Sequence, residues 1–169
     1  GTFLISTDTS ARRVFDSVTV ALSGAPLPGA VQRTAQLPVP PGPAGVHAGH
    51  VANAFDDTPN LGWGLLPTAI AEARIAQQHA TLAARMPDNL EYMKTHAGHV
   101  IHALDPASIP TLMAPGLGYG VKKAATGVVT HIELAGAAAG PPQQIVLHSK
   151  HIAIAGRNTL VRLDHLFAL

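Results

Sequence analysis

Apolar residues after Val46 fall into long stretches that are separated by short breaks containing proline, glycine or asparagine. The stretch 68–85, with the sequence TAIAEARIAQQHATLAAR, is dense in strong helix formers. Comparable stretches over 90–104, 121–139 and 145–167 predict three further helices, with breaks at 86–89 and 140–142. Short breaks join neighbouring helices in antiparallel pairs. The pattern therefore predicts an all-α protein, a four-helix bundle made of two helical hairpins.

The first 45 residues have a different pattern. Residues 2–6 and 14–22 are rich in Val, Thr, Phe and Ile, which is typical of short strands. Proline then accumulates up to PVPPGPAG at 38–45, and proline lacks the backbone donor that a helix interior needs. We predict an extended, proline-rich N-terminal arm over 1–45, followed by a histidine-rich helical domain over 46–169.

The two predicted hairpins are copies of each other, covering 61–105 and 117–157. A shift of 52 residues places His79 on His131, His96 on His148 and His99 on His151. Upstream, LGWG at 61–64 corresponds to LGYG at 117–120. A partial third copy precedes both, because HAGHV occurs at 47–51 and again at 96–100. We interpret the domain as a short HxxH helix followed by two whole repeats.

The repeated histidines are the candidate ligands. In an antiparallel hairpin His79 and His96 lie at about the same height, and His99 shares a helix face with His96. Each hairpin thus offers three imidazoles. Because the copies agree mainly at histidine, we interpret the set as metal or haem ligands: His47, His50, His79, His96, His99, His131, His148 and His151. His102 is a further candidate metal ligand, whereas His165 lies outside the repeat and is interpreted as a surface or polar-core histidine.

Several metal centres with imidazole ligands are therefore the predicted function. The chain has no cysteine, which excludes thiolate zinc sites, iron–sulfur clusters and covalently attached haem. Bis-histidine b-type haem in an electron-transfer protein is favoured, because small residues beside the histidines leave room for a porphyrin. The first alternative is a set of Zn or Cu ions, in a storage, carrier or dinuclear protein, since three imidazoles suit such an ion. The second is a structural assembly protein with incidental histidines.

Catalytic motifs are missing from the sequence, so an electron carrier or metal binder is favoured over an enzyme. A net charge of +1 gives no reason to expect nucleic acid. Only 12% of residues are charged, which indicates that part of the surface is covered by a redox partner or by self-association, as a homo-oligomer or a subunit of a larger assembly. No apolar run is long enough to span a membrane. We also expect a periplasmic or extracellular location.

Overall fold

Five α-helices form most of the chain that the computed structural model describes, which is residues 36–59 and 63–168. The helices are α1 (Pro43–Ala52), α2 (Leu65–Arg85), α3 (Leu90–Leu104), α4 (Val121–Ala137) and α5 (Gln143–Phe167). One turn of 3-10 helix, Pro106–Ser108, follows α3. The strands that the sequence predicts at 2–6 and 14–22, with most of the arm, lie outside the described residues.

The helical bundle predicted from the sequence is confirmed. Helix α3 has the predicted bounds. Helix α2 begins at Leu65, three residues before the predicted start, and the Leu65 side chain is buried in the core. Helix α4 ends two residues before its predicted end, and helix α5 begins two residues before its predicted start. Between α2 and α3, the side chain of Asn89 accepts a hydrogen bond from the Tyr92 N–H at 3.0 Å and so caps α3.

Helix α4 lies at the centre of the packing. Helices α2 and α3 form one hairpin and α4 and α5 form the other, while both α1 and α2 pack against α4. The main core is built of small and aliphatic side chains around α4, with one aromatic member: Val51, Leu65, Tyr119, Ala124, Val128, Ile132, Ala135 and Ala153. A second cluster connects α2, α3, α4 and the end of α5: Ala76, Ala103, Leu104, Val121 and Leu163.

Glycines let α4 and α5 approach closely. A Cβ atom placed on Gly136 would lie 2.2 Å from the Ser149 Oγ, and one placed on Gly156 would lie 2.6 Å from a methyl group of Val129. Ser149 and Ala153 are buried at this contact. The face of α5 that carries Ser149, Ala153 and Gly156 is therefore the face that packs on α4, since residues three or four apart share one side of a helix.

A buried carboxyl group positions the start of α4. Glu72 of α2 has no exposed surface, and its oxygens accept hydrogen bonds from the backbone N–H groups of Leu117, Tyr119 and Gly120 at 3.3, 2.8 and 3.0 Å. Gly120 precedes α4 with a φ of 83°, a conformation that favours glycine. The LGYG segment is thus held on α2, and this contact fixes where α4 begins.

Candidate metal centres

Two groups of three histidines lie among the described residues, and in each group one ring nitrogen from every histidine lies within 4.8 Å of the others. The hairpin cluster consists of His79, His96 and His99. The α1–α4 cluster consists of His47, His50 and His131. The structure therefore brings six of the predicted ligands together in two groups of three.

The hairpin cluster joins α2 to α3. The Nδ1 atom of His79 lies 2.9 Å from the Nδ1 atom of His96 and 3.3 Å from that of His99. His79 is 7% exposed, whereas His96 and His99 are half-buried. The Tyr92 ring packs edge-on against His96, with 4.4 Å between the ring centroids. As the spacing predicts, His96 and His99 face α2 from successive turns of α3.

The α1–α4 cluster repeats this arrangement with helices that are distant in sequence. The Nδ1 atom of His131 lies 3.2 Å from the Nδ1 atoms of both His47 and His50. The Phe55 ring contacts two members, with its centroid 5.2 Å from that of His50 and 4.9 Å from that of His131. A surface groove of about 330 Å³, lined in part by Val39 and Pro40, reaches the cluster at His50.

The spacing of the ring nitrogens suits one metal ion in each cluster. Imidazole nitrogens bind Zn²⁺ at about 2.0–2.1 Å, so two ligands of a tetrahedral ion lie about 3.3 Å apart. The four Nδ1–Nδ1 distances given above, 2.9 to 3.3 Å, are at or just below this value. Both clusters take two histidines of an HAGH segment and one histidine from a second helix, so they share one ligand pattern.

The surroundings of three clustered histidines favour the neutral imidazole by lowering its pKa. Burial lowers the pKa of His79 below its ordinary value of 6.5, and the neighbouring His99 and His96 lower it further. Burial also lowers the pKa of His99, with contributions from His96 and His102. The pKa of His131 is lowered by burial first and then by His50 and His47. A metal ion binds the neutral form of imidazole, so these shifts prepare the ligands for an ion.

His148 and His151 belong to neither cluster, although the repeat predicts that they join His131. Both are exposed on α5, with their ring centroids 6.0 Å apart. The reason is the rotation of α5, because the contacts of Ser149 and Gly156 with α4 turn the two histidines away from it. The place beside His131 is taken by α1.

The remaining two histidines also lie outside the clusters. His102 is one turn beyond His99 on α3, and its Nδ1 atom is buried without a hydrogen-bond partner in the part of the chain that the structure describes. It belongs to neither three-histidine group, so its assignment as a metal ligand stays a prediction. His165, interpreted from the sequence as a surface or polar-core histidine, is exposed in the last turn of α5.

Sequence reasoning missed the pairing of α1 with α4 and the residues that support the clusters. The identical HAGHV segments at 47–51 and 96–100 were the available signal, since equal ligand segments imply equal partners. Nothing in the sequence pointed to Phe55 or Tyr92 as neighbours of the clusters. Glu72 was visible only as an isolated acidic residue in a predicted helix.

Comparison with known proteins found no matching family model, no matching curated protein and no matching solved structure. The described helices include none with both the length and the apolar character needed to cross a membrane.

Proposed function

We propose that this protein binds two transition-metal ions, one in each three-histidine cluster, and that it stores or carries these ions. The observation that carries the proposal is that in each cluster the Nδ1 atom of one histidine lies 2.9 to 3.3 Å from the Nδ1 atoms of the other two, with one ring nitrogen of all three within 4.8 Å of the others. The same arrangement is built twice from different helices, which supports a shared role for the histidines over incidental placement.

The geometry supports a metal ion better than the haem that the small neighbouring residues suggest. A bis-histidine haem places its two axial imidazoles on opposite faces of a wide porphyrin, so their nitrogens must face each other across the iron. In each cluster ring nitrogens of three imidazoles instead lie within 4.8 Å of one another. Their converging atoms are Nδ1, which adjoins the ring carbon that carries the side chain, so a porphyrin bound there would overlap the helix backbone.

The ligand set favours Zn²⁺, with copper as the second choice. Imidazole binds both metals, but the near-tetrahedral spacing suits Zn²⁺, whereas Cu²⁺ prefers a tetragonal arrangement. Neither cluster includes a carboxylate or a thiolate among its three ligands. The charge of a bound ion is therefore left uncompensated by its protein ligands, and one coordination position remains for water or a donor from another molecule. Both properties support an ion that is released and exchanged.

Metal analysis of matched variants tests the proposal. The protein, purified in a zinc-containing medium, is passed through gel filtration at low concentration and analysed for Zn, Cu, Ni and Fe. For the monomeric chain at this low concentration we expect two zinc ions, one in His79→Ala, one in His131→Ala and none in the double variant. Gln78→Ala is the matched control, because Gln78 is an exposed neighbour of His79 outside both clusters, and this variant should retain two ions.

The outcomes separate the alternatives. A double variant that keeps both ions would contradict the proposal. An intense Soret absorption band in the native protein that is lost in the double variant would show that the histidines bind haem and not metal ions. If the protein contains copper instead of zinc and the variants lose it in the same pattern, the assignment of the two sites stands and only the identity of the metal changes.

A further inference from the structure

The outward face of α5 has the pattern of a helix that packs against another helix. Leu147, Ile154 and Val161 follow one another at intervals of seven residues and are 52%, 54% and 51% exposed. His151, Asn158 and His165, each four residues after one of these apolar residues, are exposed on the same face. Alternating spacings of four and three residues make a continuous seam along one side of a helix. The opposite side of α5, with Ser149 and Ala153, is buried against α4.

An incomplete ligand set lies at one edge of this face. His148 and His151 form the third HxxH segment of the chain, and both other segments receive one more histidine from a neighbouring helix. His165 of the same chain lies 14 residues along α5 from His151, about 21 Å away at 1.5 Å per residue. His102 is on α3, beside Ala103, which packs with Leu163 near the other end of α5. The undescribed residues contain no histidine.

We propose that a second copy of this chain completes the set, with the two α5 helices packed antiparallel and a metal ion held by His148, His151 and His165 of the second copy. Antiparallel pairing about a two-fold axis near Gly156 places His165 of one copy opposite Leu147 of the other, next to His148. Packed helices lie 8–10 Å apart, and the packed helices α2 and α3 show that histidines on two such helices reach each other, with His79 at 2.9 Å from His96. By symmetry the dimer has two such composite sites.

One charged pair along the seam agrees with this orientation. The antiparallel arrangement brings Lys150 of one copy near Asp164 of the other, and the two side chains have opposite charges. Arg157 lies near the two-fold axis, where it would face its own copy, but its charge is already paired with Glu133 of the same chain. The apolar residues of the seam would pack across the interface with His151, Asn158 and His165. A second copy thus supplies packing, charge complementarity and the third imidazole.

This inference rests on the proposed function for its metal, and its test separates the two. Sedimentation velocity measures the mass of the full chain in EDTA and with added ZnCl₂. We expect a monomer of 17.4 kDa in EDTA and a dimer of twice that mass with zinc. His165→Ala and the double variant His148→Ala, His151→Ala should stay monomeric with zinc while keeping the ions of the two internal clusters. Asn158→Ala, on the same face without an imidazole change, should still dimerise.

Mixing the variants tests whether the ligands come from different copies. His165→Ala retains His148 and His151, whereas the double variant retains His165, so a mixed dimer contains one complete composite site. We expect zinc to produce dimers in the mixture although it produces none with either variant alone. A wild type that stays monomeric with zinc, or a zinc-dependent dimer that survives His165→Ala, overturns the inference.

Metal content gives a second measurement if the wild type is already dimeric in EDTA. A third zinc ion per chain that is lost in His165→Ala then supports the composite site, and an unchanged content overturns it. Loss of metal from His79→Ala and His131→Ala is a separate result, so the proposed function can stand when the composite site fails.

Discussion

The Nδ1 atoms of His79 and His96 lie 2.9 Å apart across one helical hairpin, and the two residues are 17 positions apart in the sequence. His47 and His131 make the equivalent contact at 3.2 Å across 84 positions. One ligand pattern is thus built once from neighbouring helices and once from helices at a distance in the chain. The HAGH segment is the constant part, and the helix that supplies the third histidine is the variable part.

Metal removal should destabilise the protein. Zinc that binds only the folded chain stabilises it by about 2.7 kcal/mol per site at a free concentration of 100 times Kd. We expect EDTA to lower the melting temperature measured by circular dichroism, and His131→Ala to lose about half of the zinc-dependent increase. The double variant His79→Ala, His131→Ala should melt at the same temperature with and without zinc at concentrations where it is monomeric. A zinc response of wild-type size in that variant would contradict the assignment.

The metal-free protein should lose stability as the solution becomes acidic. The pKa values of His79, His99 and His131 are lowered from 6.5 in the folded chain, mainly by burial. The unfolded chain therefore binds more protons than the folded chain below about pH 6.5, so the free energy of unfolding falls as the pH falls through that value towards the lowered pKa values. Urea unfolding in EDTA at a series of pH values measures this.

A matched variant identifies the source of the pH dependence. His79→Gln removes one imidazole whose pKa is lowered and should make the pH dependence between about pH 7.5 and 5.5 shallower. Stability that rises on acidification of the wild type would show that other groups dominate.

Loss of the Glu72 carboxyl group should destabilise the start of α4. Glu72→Ala leaves the backbone N–H groups of Leu117, Tyr119 and Gly120 without their acceptor, and a buried donor without a partner costs about 1–3 kcal/mol. We expect a total loss of roughly 2–4 kcal/mol in urea unfolding. Glu133→Gln is the control, because Glu133 forms an exposed ion pair with Arg157 that contributes about 1 kcal/mol or less. Equal losses in the two variants would contradict this role of Glu72.

Two glycine-to-alanine substitutions should change the stability of the folded protein in opposite directions. At Gly136 the new methyl group would overlap Ser149 at the α4–α5 contact, so Gly136→Ala should cost about 1–3 kcal/mol. At Gly49 a Cβ atom meets nothing within 4 Å, and alanine is favoured over glycine inside a helix by roughly 0.8–1 kcal/mol. Gly49→Ala should therefore stabilise α1 and leave the zinc content unchanged. Thermal unfolding of both variants measures the difference, and a destabilised Gly49→Ala would show that α1 packs differently.

The helices could be predicted from the sequence because the features that start and end a helix act locally along the chain. Helix formers, the breaks at 86–89 and 140–142 and the cap at Asn89 all act within a few residues, so α3 was predicted with its observed bounds. The hairpin cluster followed for the same reason, since a short turn fixes the relative height of His79 and His96.

The rotation of α5 and the α1–α4 cluster could not be predicted, because they depend on contacts between residues that are distant in the sequence. The repeat predicted equal use of both hairpins, but the rotation of α5 is set by how Gly136 and Gly156 fit against Ser149 and Val129. That fit has no periodic signature in the sequence. Once α5 is rotated, His131 is free to meet another segment, and the position of α1 decides that His47 and His50 are that segment.

The separation of His47 from His131 along the chain also sets an order of assembly. Closing a loop of 84 residues costs about 1.4 kcal/mol more conformational entropy than closing one of 17. The hairpin cluster can form as soon as α2 and α3 meet, whereas the α1–α4 cluster requires most of the domain to be folded. An ion bound by His131 would therefore report the completed tertiary structure, and local opening of α1 alone would release it while the other ion stays bound.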